Sequence, residues 1–244
     1  MTMPEIECPF TISEKEFVYF SAGDSTPVII DAPHASGPPA YADEFTGDIA
    51  DYVSCKTGAG QIVSLIPRNL ADLNRKIDYR NGISVSAHRQ HREALYNILF
   101  RKDLLDSSSD VRKPLLYISL HGMTGYSLPR LGKVDIEIGT RHGMLCNYDT
   151  ASWVKHNLQY KLKRHVVIDK KFVGDPCLCA HIHGEGPHKQ YRGYGLNIHL
   201  IQLEISRDLR FNKLKEVCSA LIDIVRLFRL LPLQSSIDGF EANC

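Results

Sequence analysis

Three side chains stand at positions where chemistry could occur: His34, His121 and Glu204. Each histidine follows an apolar segment and has small residues or glycine beside it, which leaves room for an ion. Glu204 lies between Leu203 and Ile205, inside another apolar segment. Burying an isolated carboxylate is costly, so Glu204 needs either a partner cation or a function.

Each of these residues also has a simpler interpretation. A histidine at the end of a strand often does no more than cap a loop. Glu204 could form a structural salt bridge to Arg75 or to Arg207. Spacing alone does not decide between these readings and a functional site.

Apolar segments predict the strands that would position these residues. They cover residues 27–31, 61–66, 114–120 and 199–205. Continuous apolar runs of this length are typical of central strands in a mostly parallel sheet. Because sites in open α/β sheets form beyond the carboxyl ends of the strands, His34, His121 and Glu204 are expected at one edge of the sheet.

Helical patterns alternate with these strands. The first covers residues 46–55 with Thr46 as the expected N-cap, and the second covers 86–105 with Ser86 as the expected N-cap. A third covers about 212–231, with apolar residues recurring at helical spacing. Strands and helices in this order predict a layered α/β fold.

Length and charge narrow the class of protein. The 244 residues suit one domain spanning 1–244, and a net charge of +1 gives no reason to expect a nucleic-acid or acidic-membrane partner. We expect no secretory signal and no membrane span. Seven scattered cysteines predict free thiols in a reducing compartment, and hence a cytoplasmic protein.

Six short segments occur in one order along the chain. They are APHASG at 32–37, DEFT at 43–46 leading into residues 49–50, ADLNR at 71–75, SLHG at 119–122, EIGT at 137–140 with Gly143, and IQLE at 201–204. On these segments the chain resembles the N-formylglutamate amidohydrolase family, a branch of the zinc-carboxypeptidase-like metallohydrolases. The resemblance implies a three-layer α/β fold, with helices on both faces of a mostly parallel or mixed sheet, and metal-assisted amide hydrolysis.

The resemblance also implies a set of metal ligands and a base. His34 and His121 resemble two zinc ligands, with Asp43 as the third and Glu44 as the alternative. Two imidazoles and one carboxylate leave a coordination position for water at one zinc per chain, although other divalent ions suit the same ligands. The metal would lower the pKa of that water, and Glu204 would act as general base.

The implied substrate is a small N-acyl amino acid such as N-formylglutamate. Asn74 and Arg75 resemble a clamp for its carboxylate, whereas the simpler reading of Arg75 is a surface ion pair. Arg141 and Arg192 are further candidates for substrate binding. Alternatives are a carboxypeptidase-like or γ-glutamyl-peptide hydrolase, or a catalytically silent metal-binding relative. The sequence gives no indication of oligomeric state.

Two features depart from this picture. Many relatives carry aspartate two residues before the second histidine ligand, where this chain has Ser119, a weaker partner for an imidazole. The run CLCAHIH at 177–183 resembles a second metal site. In an extended strand its ends would lie about 20 Å apart, too far for one ion. We expect a half-buried strand or a loop near the substrate there.

Overall fold

The structure is a computed structural model that describes residues 7–175, 177 and 193–230. In this part of the chain the strands are β1 (Ser13–Glu14), β2 (Val18–Ser21), β3 (Val28–Ala32), β4 (Gly60–Ser64), β5 (Leu115–Met123), β6 (Tyr126–Leu128), β7 (Gly132–Val134), β8 (Ile136–Gly139), β9 (Val166–Ile168) and β10 (Ile198–Ser206). The helices are α1 (Thr46–Thr57), α2 (Gly82–Arg101), α3 (Tyr148–Leu162), α4 (Arg207–Asn212) and α5 (Leu214–Phe228).

Eight strands form one mixed sheet in the order β1-β2-β4-β3-β5-β10-β8-β9. The four central strands β4, β3, β5 and β10 run parallel, whereas β2 pairs antiparallel with β4 and β8 pairs antiparallel with β10. All four predicted strands are therefore present, and they form the centre of the sheet. Strands β6 and β7 pair separately as a hairpin.

Helices cover both faces of this sheet, which confirms the predicted three-layer α/β fold. On one face α1, α3 and α5 pack against apolar side chains such as Ile30, Ile118 and Leu203. On the other face α2 packs against Ile29, Tyr117 and further side chains that alternate along the strands with those of the first face. Adjacent residues of a strand point to opposite faces, so both layers bury apolar surface from the same strands.

The face covered by α2 changes from apolar to polar along the two longest strands. On β5 the side chains on this face run from Tyr117 through Ser119 to His121, and on β10 they run from Leu200 through Gln202 to Glu204. The apolar ends of both rows pack in the core cluster that includes α2. The polar ends lie at the carboxyl ends of the strands, where open α/β sheets bind ligands.

The starts of the three predicted helices differ from the prediction. Thr46 is not the N-cap of α1 but its first residue, and Phe45, in left-handed conformation, precedes it. The Thr46 hydroxyl donates to Asp43 O and makes no capping bond to the helix. Helix α2 begins a turn before Ser86, with Asn81 as its N-cap accepting from two backbone amides. The predicted last helix corresponds to α5 and begins at Leu214, and the short helix α4, which was not predicted, precedes it.

The prediction that all cysteines are free thiols is wrong for two of them. Cys8 and Cys55 form a disulfide across a sequence separation of 47 residues, linking the N-terminal segment to α1. Scattered spacing cannot reveal that pair, because only the fold brings their Cα atoms to 5.1 Å. Cys146, Cys177 and Cys218 are free and buried. Cys179 and Cys244 lie outside the described residues.

None of the helices in the described ranges is both long enough and apolar enough to cross a membrane.

Candidate metal and catalytic site

Three potential metal ligands meet at the carboxyl edge of the sheet. The donor atoms of His34, Asp43 and His121 all lie within 4.8 Å of one another, and all three side chains are buried. Oδ2 of Asp43 is 3.3 Å from Nδ1 of His34 and 3.4 Å from Nδ1 of His121. The two imidazole rings meet edge to face, with centroids 4.9 Å apart.

The loop between β3 and α1 brings His34 and Asp43 together. The Asp43 amide donates to His34 O at 2.7 Å, and the Thr46 hydroxyl donates to Asp43 O at 2.7 Å. Both bonds hold the part of the loop that carries His34 and Asp43. His121 comes from β5, which is paired directly with β3.

The outer nitrogen of each imidazole is held by a polar partner. Nε2 of His34 lies 2.7 Å from Oδ1 of Asp72, and Nε2 of His121 lies 3.2 Å from the Ser119 hydroxyl. If each Nε2 carries the proton, the two Nδ1 lone pairs point towards Asp43. Such partners fix the tautomer of a metal-binding histidine, and they differ here, since one is a carboxylate and the other a hydroxyl.

Arg68 already places a positive charge among these donor atoms. Its Nη2 donates to Oδ1 of Asp43 at 2.7 Å and to Nδ1 of His34 at 2.8 Å. Burial opposes the charged form of Asp43, but contacts with His121, His34 and Arg68 hold the pKa of Asp43 well below its usual range. A buried set of two imidazoles and one carboxylate that attracts a cation fits a divalent metal such as zinc.

Glu204 lies directly beside His121 in the parallel register of β5 and β10. It is buried, and its Oε1 accepts a hydrogen bond of 2.9 Å from the Gln202 amide. Gln202 in turn lies 3.5 Å from the side-chain nitrogen of Asn74. Within the described ranges no Lys, Arg or His nitrogen lies within 4.0 Å of Glu204, so the structural salt bridge to Arg75 or Arg207 is not formed.

A second carboxylate, Glu137, faces Glu204 across β8 and β10 but has a different environment. Its Oε1 accepts from the amides of Lys170, Lys171 and Phe172 at 2.6, 2.6 and 2.9 Å, and Tyr126 donates to its Oε2. These bonds occupy most of the acceptor capacity of Glu137. Of the two neighbouring carboxylates, Glu204 is therefore the one that keeps acceptor lone pairs without a partner among the described residues.

A cleft of about 430 Å³ opens beside the ligands. The residues that line it include Asp43, Glu44, Arg68, Gly122, Arg207 and Arg210. The cleft is large enough for a small polar molecule, and its guanidinium groups favour an anionic one.

The chain is similar over most of its length to solved structures. The crystal structure of N-formylglutamate amidohydrolase from Ralstonia eutropha JMP134 matches with a TM-score of 0.61 and 17% identity, covering 92% of this chain and 99% of that one. This chain has the N-formylglutamate amidohydrolase fold. Gene product Atu2144 from Agrobacterium tumefaciens matches with a TM-score of 0.54 and 14% identity, covering 89% and 93% of the two chains. No protein-family model matches the sequence, and neither does any curated protein.

The two candidate carboxylates, Asp43 and Glu44, differ in their surroundings. Asp43 points to both imidazoles, whereas Glu44, the alternative, lines the cleft and contributes its backbone carbonyl to Arg210. The geometry brings Asp43 and not Glu44 to the histidines.

The predicted substrate-binding residues are dispersed. Asn74 is buried near Gln202, and its Oδ1 has no hydrogen-bond partner among the described residues. Arg75 has a side chain 67% exposed and forms an ion pair with the buried carboxylate of Asp175. Arg141 has a positive φ of 52° in the loop after β8. Arg192 and the run from 178 to 183 lie outside the described residues.

Three residues at the site had no role in the sequence-based prediction: Arg68, Asp72 and Arg210. Arg68 follows the carboxyl end of β4, so the rule that located His34 and His121 could have found it. Asp72 lies within the ADLNR segment, but its contact with His34 depends on the fold. Arg210 lies on a short helix, and no local pattern distinguishes it from a surface arginine.

Proposed function

We propose that this chain is a metal-dependent amidohydrolase that cleaves the amide bond of a small N-acyl amino acid such as N-formylglutamate. The observation that carries the proposal is the cluster of His34, Asp43 and His121 with Glu204 directly beside it. The fold shared with an N-formylglutamate amidohydrolase supports the same activity.

His34, Asp43 and His121 would hold one zinc ion or another divalent metal through two Nδ1 atoms and a carboxylate oxygen. A divalent ion there supplies Lewis acidity, which lowers the pKa of water towards neutrality. Asp72 and Ser119 keep the two rings in the orientation that presents Nδ1 to the cluster.

Glu204 would accept a proton from the attacking water and later deliver it to the leaving nitrogen. Its environment suits this role because it is buried, adjacent to His121 and hydrogen-bonded to the Gln202 amide alone among the described residues. Proton transfer by a positioned carboxylate contributes about 10²–10⁴-fold to the rate. Gln202 keeps the carboxylate in place while leaving other lone pairs for the water.

Arg68 and Asn74 would contact the substrate. Arg68 lines the cleft beside His34 and Asp43, where a guanidinium can stabilise negative charge that develops on the amide oxygen. Asn74 offers a buried acceptor, Oδ1, that has no partner among the described residues, and an amide N–H of the substrate would satisfy it. Arg75 is the predicted carboxylate clamp, and it would have to exchange Asp175 for the substrate.

The experiment combines metal content with turnover. Purified wild type should contain about one zinc per chain and release formate from N-formyl-L-glutamate, whereas His121→Ala should lose the metal. Glu204→Gln should retain zinc and lose about 10²–10⁴-fold in kcat. Glu216→Gln, an exposed glutamate on α5, is the matched control and should behave like wild type.

Two results would count against the proposal. Full turnover by Glu204→Gln would show that Glu204 is not the general base. A wild type that binds no divalent ion after reconstitution would exclude the metal-dependent mechanism. If the wild type hydrolyses γ-glutamyl peptides and not N-acyl amino acids, metal-dependent amide hydrolysis would stand but the proposed substrate class would be wrong.

A further inference from the structure

Arg210, on α4, is a buried arginine that forms no ion pair with the residues the structure describes. It is only 5% exposed, and in the described part of the chain no carboxylate oxygen lies within 4.0 Å of its guanidinium. Burial lowers the pKa of Arg210, against the opposing influence of Asp43, Glu44 and Glu204 at longer range. Keeping an unpaired cation in the interior is unfavourable, so its position needs an explanation.

The guanidinium bridges two backbone carbonyls from distant parts of the chain. Its Nε donates to Ile205 O at 3.1 Å, at the end of β10. Its Nη1 donates to Glu44 O at 2.5 Å, in the loop between β3 and α1. Arg210 therefore ties the strand that carries Glu204 to the loop that carries Asp43.

The same guanidinium lies against Gly122 on β5. A Cβ atom added to Gly122 would stand 2.4 Å from Cζ, 2.5 Å from Nη2 and 2.7 Å from Nη1 of Arg210. No side chain larger than hydrogen fits there without moving the arginine, which explains why glycine follows His121. This third contact joins the strand that carries His121 to the other two.

Arg210 contacts three residues, and each of them comes immediately after a residue of the proposed site in the sequence. Glu44 follows Asp43, Gly122 follows His121 and Ile205 follows Glu204. We propose that Arg210 is a positioning residue whose single planar group sets the spacing between Asp43, His121 and Glu204. This inference rests on the proposed function, since it assigns Arg210 to that same site.

Arginine suits this role better than lysine would. The guanidinium is rigid and planar, so it can donate in two directions while one face lies against a glycine. A lysine ammonium would keep the positive charge but could not hold both carbonyls at fixed geometry. Comparing Arg210→Lys with Arg210→Met therefore separates geometry from charge.

The test measures zinc affinity by competition with a chromogenic chelator, without substrate. Both Arg210→Lys and Arg210→Met should bind zinc about 10–100-fold more weakly than wild type, as expected when the support of a metal ligand is lost. Arg226→Met, an exposed arginine on α5, is the matched control and should keep wild-type affinity. Circular dichroism establishes that each variant is folded.

Gly122→Ala supplies a second test that keeps the arginine. The added methyl group should displace the guanidinium and cause the same loss of zinc affinity. In turnover of the acyl-amino acid, Arg210→Lys should lower kcat about 10–100-fold with KM within about twofold, because a positioning residue acts through the residues it holds and not through binding of the substrate.

Several outcomes would overturn the inference. Wild-type zinc affinity in Arg210→Met or in Gly122→Ala would show that the contacts do not support the ligands. Full affinity in Arg210→Lys would assign the effect to charge, and a rise in KM with constant kcat would make Arg210 a substrate-binding residue. A wild type that binds zinc but hydrolyses no acyl-amino acid would end the proposed function, while the zinc comparison would still decide on Arg210.

Discussion

Arg68 forms an ion pair of 2.7 Å with Asp43, at the centre of the proposed metal site. The same guanidinium nitrogen reaches Nδ1 of His34 at 2.8 Å. The lone pair on Nδ1 of His34 cannot accept a hydrogen bond from Arg68 and bind a metal ion at the same time. Arg68 and a metal ion therefore compete for His34.

The first prediction follows from this competition. Arg68→Met should bind zinc roughly fivefold more tightly than wild type, because an ion pair of this kind contributes on the order of 1 kcal/mol that metal binding must replace. The same variant should hydrolyse its substrate more slowly. Chelator competition and steady-state kinetics measure the two effects, and weaker zinc binding would instead show that Arg68 supports the ligands.

A second prediction concerns the partners of the two histidines. Asp72→Ala should weaken zinc binding more than Ser119→Ala does, because Asp72 offers His34 a charged acceptor at 2.7 Å and Ser119 offers His121 a neutral one at 3.2 Å. We expect a loss of about 10–100-fold for Asp72→Ala and a smaller loss for Ser119→Ala. Equal losses would contradict the ranking and indicate that Ser119 orients its ring as firmly as a carboxylate.

The third prediction contrasts the two facing glutamates. Glu137→Gln should lower the free energy of unfolding by about 2–4 kcal/mol, because an amide cannot accept all the bonds that the carboxylate receives from three amides and Tyr126. Glu204→Gln should change stability little and lower kcat by about 10²–10⁴-fold. Urea unfolding of both variants, under the same metal loading, decides the matter. A stable Glu137→Gln would mean that these bonds contribute little.

The fourth prediction tests the Cys8–Cys55 disulfide. Cys55→Ser should lower the free energy of unfolding by about 2–4 kcal/mol under oxidising conditions, because the bridge restricts the unfolded chain across a long loop. A reductant should lower the unfolding temperature of wild type and leave Cys55→Ser unchanged. Cys218→Ser, at a buried free thiol, is the control for loss of a sulfur atom. Insensitivity of wild type to reductant would argue that the thiols are free in solution.

The sequence was sufficient to predict the central strands and the edge at which the site forms. Apolar runs are strong local signals, and the rule about strand ends then brings His34, His121 and Glu204 to one side of the sheet. Helix starts were less predictable, since the Thr46 hydroxyl can accept from a helix amide as an N-cap or donate to a carbonyl, and only the folded loop brings Asp43 O within its reach.

Other parts of the site depend on contacts that no sequence window contains. Arg68 meets His34, Asp72 meets His34 and Arg210 meets Glu44 only after β3, β4 and β10 are assembled. The choice between Asp43 and Glu44 is of the same kind, because adjacent residues of one loop differ only in where the backbone directs them. The Cys8–Cys55 bridge likewise needs the N-terminal segment to reach α1.

The order of strands in the sheet has a consequence for how this chain is made. Among the described strands, β8 pairs only with β9 and with β10, so β10 alone joins that pair to β5. A ribosome releases β5, β8 and β9 before β10, and until then two apolar strand edges remain unpaired. Such edges favour aggregation. The nascent chain would be most in need of a chaperone in this interval, with the three proposed metal ligands already synthesised and the proposed base, Glu204, still missing.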